Sequence, residues 1–550
     1  MLEDLDYGSI HFLQDTKLLT DQLAEFRLPI MKRLPLGIQT FSKLISDSHY
    51  YVDKTEFVYK LSKIGTYFFL SRPRRFGKSS FLDTIQEAYQ GNEVLFKGLF
   101  LEKNWDWSKK YPVIKISFGS GETTSLEELR LIIHDIFLAF QRQFQITLES
   151  SSFSGKFKEL IEILHKRENR KVVILIDEYD KPILDAIDKE FAYQVRDELK
   201  NLYSVIKDSD RYIQLVFITG VSKFSRVSLF SGLNNLTDIT LDPEFSAVCG
   251  YTQKELEDTF SELLENVPLR EVKEWYNGYN FLGEKVYNPY DILHYLRNKD
   301  FRNYWFETGT PSFLIKLIEK RKFPIPSLEK VELSKEMMDS FDIGSIHLET
   351  ILLQAGYMTI QSVEKLGDMT VYHLCYPNKE VRNSLNDVIL TFLSSLVSEK
   401  EKNKSRLYRI LFAGEVEKLK DLFHSFFASI PYNWYTNNDI ASYEGYYCSV
   451  FYTYFTAIGV EVVTEDATNL GRIDMAVLLN GRCFIMEFKV NEMNPEGRAM
   501  KQLRDKKYHE KYTDYESQYL SSGKVKEIYL IGVEFNKTDR HITTFECVRV

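Results

Sequence analysis

The chain has 550 residues, 44% of them hydrophobic and 27% charged, with 34 Tyr and 39 Phe. A globular chain of this length exceeds one ordinary core and predicts about two to four domains. The formal net charge of -9 supplies no global basic field for nucleic acid, and the five scattered cysteines form no CxxC, which argues against a structural zinc site and for a reducing, cytoplasmic setting.

Residues 1–34 read as a short helical extension, and the acidic start Met1-Leu2-Glu3-Asp4 lacks the features of a signal peptide. An αβ pattern begins at Leu34-Pro35-Leu36-Gly37 and continues through Tyr51-Val52-Asp53-Lys54-Thr55. Thr66–Leu70 reads as a buried strand, followed by the loop Ser71-Arg72-Pro73-Arg74-Arg75-Phe76-Gly77-Lys78-Ser79-Ser80 and a helix from Phe81. Strand, Gly-Lys-Ser loop and helix together form the context of a phosphate-binding loop. Backbone N–H groups hold phosphates there, a lysine reaches the outer ones and a serine hydroxyl ligates Mg²⁺. Arg72 stands where the first glycine of GxxxxGK[ST] would fall, so a plain basic turn remains the alternative. Lys171–Glu178 is an apolar strand ending in two acids. In a Walker B-type element Asp177 would hold Mg²⁺ and Glu178 would orient the attacking water, the alternative being a solvated strand end. With further strands at Val113–Phe118 and Tyr212–Ile218, the reading is a doubly wound parallel sheet with ligand at its carboxyl ends.

Tyr251–Leu264 reads as a helix opened by Thr252, and the aromatic turn Trp275-Tyr276-Asn277-Gly278-Tyr279 follows. Residues 311–430 read as mostly helical, with amphipathic runs at Phe313–Lys320, Val381–Val397 and Leu411–Phe427, and with the charge-rich Ser398–Arg406 as a solvated turn or hinge. An aromatic helix then starts near Tyr443, and Gly459–Glu465 reads as a strand. Glu465 is either a further acid near a site or, as the plainer reading, a solvated strand end.

Asn480-Gly481, between the apolar runs Arg472–Leu479 and Arg482–Val490, is a strong hairpin signal. As a two-residue turn it pairs Leu479 with Arg482, Val477 with Phe484 and Asp474 with Glu487. Opposed residues have Cβ atoms about 4.5–5.5 Å apart, and like charges there are destabilising. A divalent cation between the two carboxylates would reverse that sign. Period two adds Lys489 to the Glu487 face, with a plain ion pair as the bland alternative. Gly497–Lys511 carries six Lys/Arg against two acids and contains Gln502, a pattern suited to a phosphate backbone or simply to solvent. Glu527–Val533 and Ile542–Val550 close the chain as a buried and an edge strand.

Asp474 followed by Glu487-Phe488-Lys489 resembles the D…(D/E)-x-K core of the PD-(D/E)XK nuclease superfamily. Gly471-Arg472-Ile473-Asp474 with Ile485-Met486-Glu487-Phe488-Lys489 is similar to one bacterial branch, in which this domain follows an AAA-ATPase-like domain. The loop Ser71–Ser79, Leu36-Gly37, Tyr51–Thr55, Leu175–Asp180, Phe217–Val221 and the aromatic turn resemble that branch too, and there a basic, proline-containing loop replaces the glycine-first pattern.

The resemblance implies several roles. Arg74, Arg75, Phe76, Gly77, Lys78, Ser79, Ser80, Asp177 and Thr219 would bind ATP, with Ser79 and Asp177 on Mg²⁺, Thr219 sensing the γ-phosphate and Glu178 catalytic. Arg226 would be either a trans-acting arginine or a surface one. Asp474, Glu487 and the Phe488 carbonyl would hold Mg²⁺ or Mn²⁺, aided by Glu444, with Lys489 and Gln502 completing a nuclease site. The expected architecture is α/β. It comprises an extension (1–34), an additional-strand ATPase domain (35–250), a helical lid (251–310), a helical linker (311–430) and a restriction-endonuclease-like α/β/α domain (431–550). The expected function is an ATPase coupled to cleavage of DNA or RNA, in a cytoplasmic chain that a homo-oligomer would suit. The alternative is a nucleotide-operated switch whose C-terminal domain binds nucleic acid or a partner protein without cutting.

Overall fold

The computed structural model describes residues 32–550 except 225–228, 230–234, 307–313, 315–317, 319–324, 340–341, 345–346, 394–396, 429–443, 469, 492–496, 517–523 and 537–540. The N-terminal extension, most of Phe313–Lys320 and Arg226 therefore lie outside the described residues.

Five parallel strands form the first sheet: β1 (Tyr67–Ser71), β2 (Val113–Ser117), β3 (Val172–Asp177), β4 (Ile213–Gly220) and the short β5 (Thr237–Asp238), in the order β2-β3-β4-β1-β5. The additional strand β4 thus lies between β1, which leads into the Gly-Lys-Ser loop, and the acid-ended strand β3. Strands β1 and β3 are buried along their whole length, as a sheet covered on both faces requires. One face packs Phe69, Ile174, Ile176 and Ile218 under helices carrying Phe137, Leu160 and Leu199. The other packs Phe68, Leu70, Leu175 and Phe217 against Phe81, Leu82 and Ile85 of helix α1 (Lys78–Gln90).

Three short helices form the lid: α2 (Gln253–Phe260), α3 (Leu269–Tyr276) and α4 (Pro289–Asn298). Helix α2 starts with a capping box, in which the Thr252 hydroxyl accepts from Glu255 N–H and the Glu255 carboxylate accepts from Thr252 N–H. The same Glu255 carboxylate takes the buried Lys54 ammonium at 2.6 Å, tying the Tyr51–Thr55 segment to the lid.

The middle region contains helices, as its periodicity indicates, but also a three-stranded antiparallel sheet, β6 (Val331–Ser334), β7 (Thr359–Leu366) and β8 (Met369–Cys375), in the order β6-β8-β7. β7 is exposed from Gln361 onward, which blurs the period-two signal that marks a half-buried strand. The solvated hinge expected over Ser398–Arg406 is instead part of a helix, α7 (Val397–Ala413), packed beside α6 (Lys379–Leu393), with α5 (Leu348–Ala355) before them. The lysines mislead because their stems lie along apolar surface while their heads find acids. Lys400, 4% exposed, meets Asp387 of α6 at 2.9 Å, and Lys404 meets it at 2.6 Å.

The second large sheet has the order β13-β12-β11-β10-β9, from β9 (Glu461–Ala467), β10 (Arg472–Leu479), β11 (Arg482–Asn491), β12 (Glu527–Asn536) and β13 (Ile542–Arg549). All pairs are antiparallel except β11–β12, which is parallel. Before it come α8 (Leu419–Ala428) and α9 (Glu444–Ala457), and after β11 comes α10 (Arg498–Asp505). A single buried cluster runs from Phe81 and Phe217 through Trp305, Tyr357 and Leu385 to Phe423, Phe451 and Phe488.

The lid and middle region touch backbone to backbone. A Cβ built on Gly278, at φ +121°, would lie 1.9 Å from the Pro377 carbonyl oxygen. Beside this contact Asp291 of α4 is fully buried near Glu380 of α6, whose Oε1 accepts the Trp305 N–H at 2.9 Å. Burial first, then the Glu380 charge, pushes the Asp291 carboxyl well above the usual carboxylate range. A carboxyl raised in this way binds its proton more tightly when folded. Its contribution to stability is complete below the unfolded value and is lost as pH rises toward the folded one. Asp291→Asn keeps the shape and removes the titration, so it should stabilise the protein more at pH 8 than at pH 5. Urea midpoints at the two pH values check this, and an equal effect at both would refute it.

Candidate ATP and nuclease sites

Gly77 opens α1 from the left-handed region, φ +94°, a conformation that glycine adopts without cost. It turns the first helical N–H groups toward a cavity of about 500 Å³ at the carboxyl end of β1. Residues Arg74 through Ser80 line this cavity, together with Gly37, Lys54, Glu178 and Asp180. The upstream motifs Leu36-Gly37 and Tyr51–Lys54 therefore converge on the loop. Asp177 and Thr219 do not line it. Asp177 is 5% exposed and its Oδ1 accepts the Glu178 N–H at 3.0 Å. Thr219 is fully buried, and its hydroxyl has no hydrogen-bond partner among the described residues.

The basic loop is fixed from outside. Arg72 is 1% exposed; its guanidinium donates to the carbonyls of Ser71, Thr240, Phe245 and Ser246 and stacks 3.8 Å over Phe281. Burial lowers its pKa to about 10. Pro73 meets Gly356 beyond α5, where a Cβ would come within 2.7 Å of the Pro73 Cβ. The Trp305 indole donates to the Arg74 carbonyl at 3.1 Å. The Arg75 guanidinium stacks 4.5 Å from the Tyr290 ring, and Phe76 packs edge-on against Tyr279 at 4.7 Å. Phe76 thus acts as an anchor as well as a lining residue. Lys78 Nζ donates to the carbonyls of Arg72 and Pro73, both at 2.9 Å. Burial pulls the Lys78 pKa down, against the pull of Asp177.

Two features went unread in the sequence. Asp180 is 1% exposed and caps the turn after β4, accepting from Val221 N–H at 3.1 Å and Ser222 N–H at 2.5 Å. Burial raises its pKa to about 6. Glu178 adopts φ +51°, unusual for a non-glycine residue, and Gly119 leaves room for its carboxylate, since a Cβ there would lie 3.2 Å from Glu178 Oε2.

In the second site the hairpin is as expected. Asn480 and Gly481 both have positive φ, +49° and +76°, and Leu479 pairs with Arg482, Val477 with Phe484 and Met475 with Met486. The same register continued by one step sets Asp474 opposite Glu487. Asp474 Oδ2 accepts the Phe488 N–H at 2.9 Å. Glu487 is fully buried; its Oε1 takes Lys489 Nζ at 3.0 Å and also the Gln502 amide. Gln502 is further held by Tyr508, whose hydroxyl donates to the Arg472 carbonyl at 3.0 Å. Four predicted residues, Asp474, Glu487, Lys489 and Gln502, are thereby brought together. Glu444 opens α9, but its side chain lies outside the described residues. Cys448, on the same helix, has its thiol pushed up by burial and by Asp474, Glu465 and Glu487. Glu465 itself is 64% exposed and pairs with Arg472 at 3.4 Å, which fits the solvated strand end.

Helix α10 ends at Asp505, and a 3-10 turn follows at Tyr508–Tyr512. Its seat was not read in the sequence. A Cβ on Gly532 would come within 2.7 Å of the Met500 nitrogen, so glycine lets the helix lie on the sheet. Glu534, fully buried and registered beside Lys489, accepts from Gly497 and Ala499 N–H at the start of that helix. A lone carboxylate in the apolar run Ile528–Phe535 was the available signal.

Among the described residues no group of three or more His, Cys, Asp or Glu side chains is arranged to hold a metal. The donors present, Asp474, Glu487 and the Phe488 carbonyl, are hard oxygens that fit Mg²⁺ or Mn²⁺. Ser79 and Asp177 offer the same chemistry beside the phosphate loop.

The family described as Predicted AAA-ATPase matches residues 35–230, and the PD-(D/E)XK nuclease superfamily matches residues 442–545. An uncharacterized protein of Azotobacter chroococcum mcd 1, named for its position in the vnfD 5′ region, is 46% identical over 516 residues, covering 94% of this chain and 98% of that protein. The chain belongs to the family that joins a predicted AAA-ATPase domain to a C-terminal PD-(D/E)XK nuclease superfamily domain. Its parallel sheet and its C-terminal mixed sheet are the folds of those two domains.

In this AAA-ATPase domain Arg72 bears on the loop's shape rather than on nucleotide contact. Arg72→Gly, which recreates the glycine-first pattern, leaves several buried carbonyls without a donor at about 1–3 kcal/mol each. It should therefore destabilise the protein by about 3 kcal/mol or more and should not tighten ATP binding. Urea unfolding and nucleotide titration check both halves, and a stable, tighter-binding variant would sink the assignment.

Proposed function

We propose that this protein hydrolyses ATP and that its nucleotide module governs a metal-dependent nuclease cleaving phosphodiester bonds of DNA or RNA. The observation that carries the reading is the gathering of Lys489 and Gln502 on the buried Glu487 carboxylate, with Asp474 across the hairpin. A buried acid held by a lysine and a glutamine at the end of a ladder is costly for structure alone. It is economical as a preorganised hydrolytic site.

Asp474, Glu487 and the Phe488 carbonyl would hold Mg²⁺ or Mn²⁺, with Glu444 as a further acid. When bound, such an ion lowers the pKa of water and neutralises charge on a phosphate. The Gln502 amide fixes Glu487 Oε1, so that carboxylate keeps one orientation. Lys489 Nζ stands beside the same oxygen and supplies positive charge to the phosphate, and it can exchange a proton with the attacking water. The exposed Lys501 and Arg504 of α10 extend a basic surface from this point along a phosphate backbone.

In the ATPase module the phosphates of ATP would rest on the N–H groups of Gly77 through Ser80. Lys78 would exchange the carbonyls of Arg72 and Pro73 for the outer phosphates. Ser79 and Asp177 would hold Mg²⁺, Thr219 would offer its buried hydroxyl toward the γ-phosphate, and Glu178 would orient the attacking water. Arg74 and Arg75, exposed at the loop, would neutralise phosphate charge. The cysteine usage and the absence, among the described residues, of a helix able to cross a membrane are compatible with the cytoplasm as its place of action.

Full-length protein should cut at least one of single- or double-stranded DNA or RNA in Mg²⁺ or Mn²⁺. Asp474→Ala and Lys489→Ala should each lower that rate by about 100-fold or more while ATP turnover persists. Cleavage surviving both substitutions would show that the site lies elsewhere. ATP turnover with no cleavage of any substrate would instead favour a nucleotide-operated switch whose C-terminal domain only binds. Separately, Glu178→Gln should lower ATP turnover by about 100-fold with nucleotide affinity retained, and unchanged turnover would remove Glu178 from the mechanism.

A further inference from the structure

A second cavity, of about 630 Å³, lies where the lid, the middle region and the C-terminal sheet meet. Its walls come from α3, from the Asn277-Gly278 turn, from the start of α6 and from the first residues of β9. It is separate from both sites described above. It shares no lining residue with the nucleotide cavity, and it meets β9 at Glu461–Val463, the end next to Leu478 rather than to Asp474.

The lining is basic. Arg270, Lys273, Lys285, Lys379 and Arg382 face it, against three acidic residues. Two of those acids are already taken, Glu274 by Arg270 at 3.4 Å and Glu329 by Arg382 at 3.0 Å. Lys273 and Lys285 are exposed and have no ion pair among the described residues. The fifteen-residue helix α6 points its N-terminus at the cavity, adding the positive end of its dipole. Its cap, Asn378, is 8% exposed and lines the cavity. The Asn378 Oδ1 accepts the Val381 N–H at 3.0 Å, but Nδ2 has no hydrogen-bond partner among the described residues. A buried amide donor left unmade costs about 1–3 kcal/mol, and an acceptor arriving with a ligand would recover it.

We propose that this cavity binds a small phosphate-bearing ligand of nucleotide size, at a site distinct from the phosphate loop. The helix N-terminus and Asn378 Nδ2 take the phosphate oxygens, and Lys273 and Lys285 neutralise its charge. The volume holds a mononucleotide, and the open rim leaves a base or sugar at the surface. Because the walls belong to three parts of the chain, such a ligand would fix the lid against the C-terminal domain. The assignment is independent of the nuclease reading.

The experiment is calorimetric titration of the full-length protein with pyrophosphate and, in parallel, with ADP. Wild type should show two sites per chain. Lys78→Ala should leave the junction site, Lys273→Glu combined with Lys285→Glu should leave the loop site, and the triple variant should show neither. Asn378→Asp keeps the helix cap while replacing the donor with a negative charge, and should weaken the junction site by about tenfold or more. Thermal unfolding of each variant separates a lost site from a lost fold. Saturation by ADP but not by pyrophosphate would support the site and assign the base a share of the affinity. One site in wild type that is lost in Lys78→Ala, or two sites that survive the double charge reversal, would overturn the proposal. So would binding of an oligonucleotide lost in that variant while neither small probe binds.

Discussion

The AAA-ATPase domain and the C-terminal domain are joined by one continuous apolar cluster. Phe81 and Phe217 beneath the phosphate loop, Trp305 and Tyr357 in the middle, and Phe451 and Phe488 under the C-terminal sheet belong to the same buried cluster. Burial contributes in rough proportion to area removed from water, so this shared cluster binds the parts together, while the outer face of each sheet keeps a core of its own. The region between the two domains is therefore a packed layer rather than a tether. Its helix α6 is touched on one side by Trp305, whose indole holds the loop at Arg74. On the other side Arg382 donates to the Val462 carbonyl of β9.

These contacts also explain how the Ser71–Ser80 loop keeps its shape without the first glycine of GxxxxGK[ST]. In the glycine-first pattern the loop's own backbone freedom gives the shape. Here shape is imposed by contacts from elsewhere: Arg72 is spread over four carbonyls, Pro73 is set against Gly356, and Arg75 is stacked on Tyr290. The loop conformation is consequently sensitive to the position of the lid and of the middle region.

What the sequence made legible follows from this. Local signals were strong where chemistry and geometry coincide within a few residues. Asn480-Gly481 set the register that opposes Asp474 to Glu487, and Gly77-Lys78-Ser79 set the start of α1. Fold class could be read because β1 and β3 are near-continuous apolar runs up to their last residues, Ser71 and Asp177, as strands covered on both faces are. Contacts between distant segments were not legible. Asp180 on the turn after β4, Glu534 under α10 and Glu380 beside Asp291 are ordinary acids in sequence, and only their burial distinguishes them. The Ser398–Arg406 run misled for the complementary reason, since long cationic side chains can line a buried helix interface when an acid such as Asp387 waits opposite.

The close approach of Gly278 to the Pro377 carbonyl constrains how the parts can move. Packed elements that shift by shear slide over one another on side chains, exchanging rotamers as they go. At Gly278 no side chain intervenes, and the two backbones interlock. Translation along that line is blocked, whereas tilting about it is not. A rearrangement passing between helices α2–α4 and the rest of the chain would thus take the form of a hinge rotation with its axis near Gly278 and Pro377.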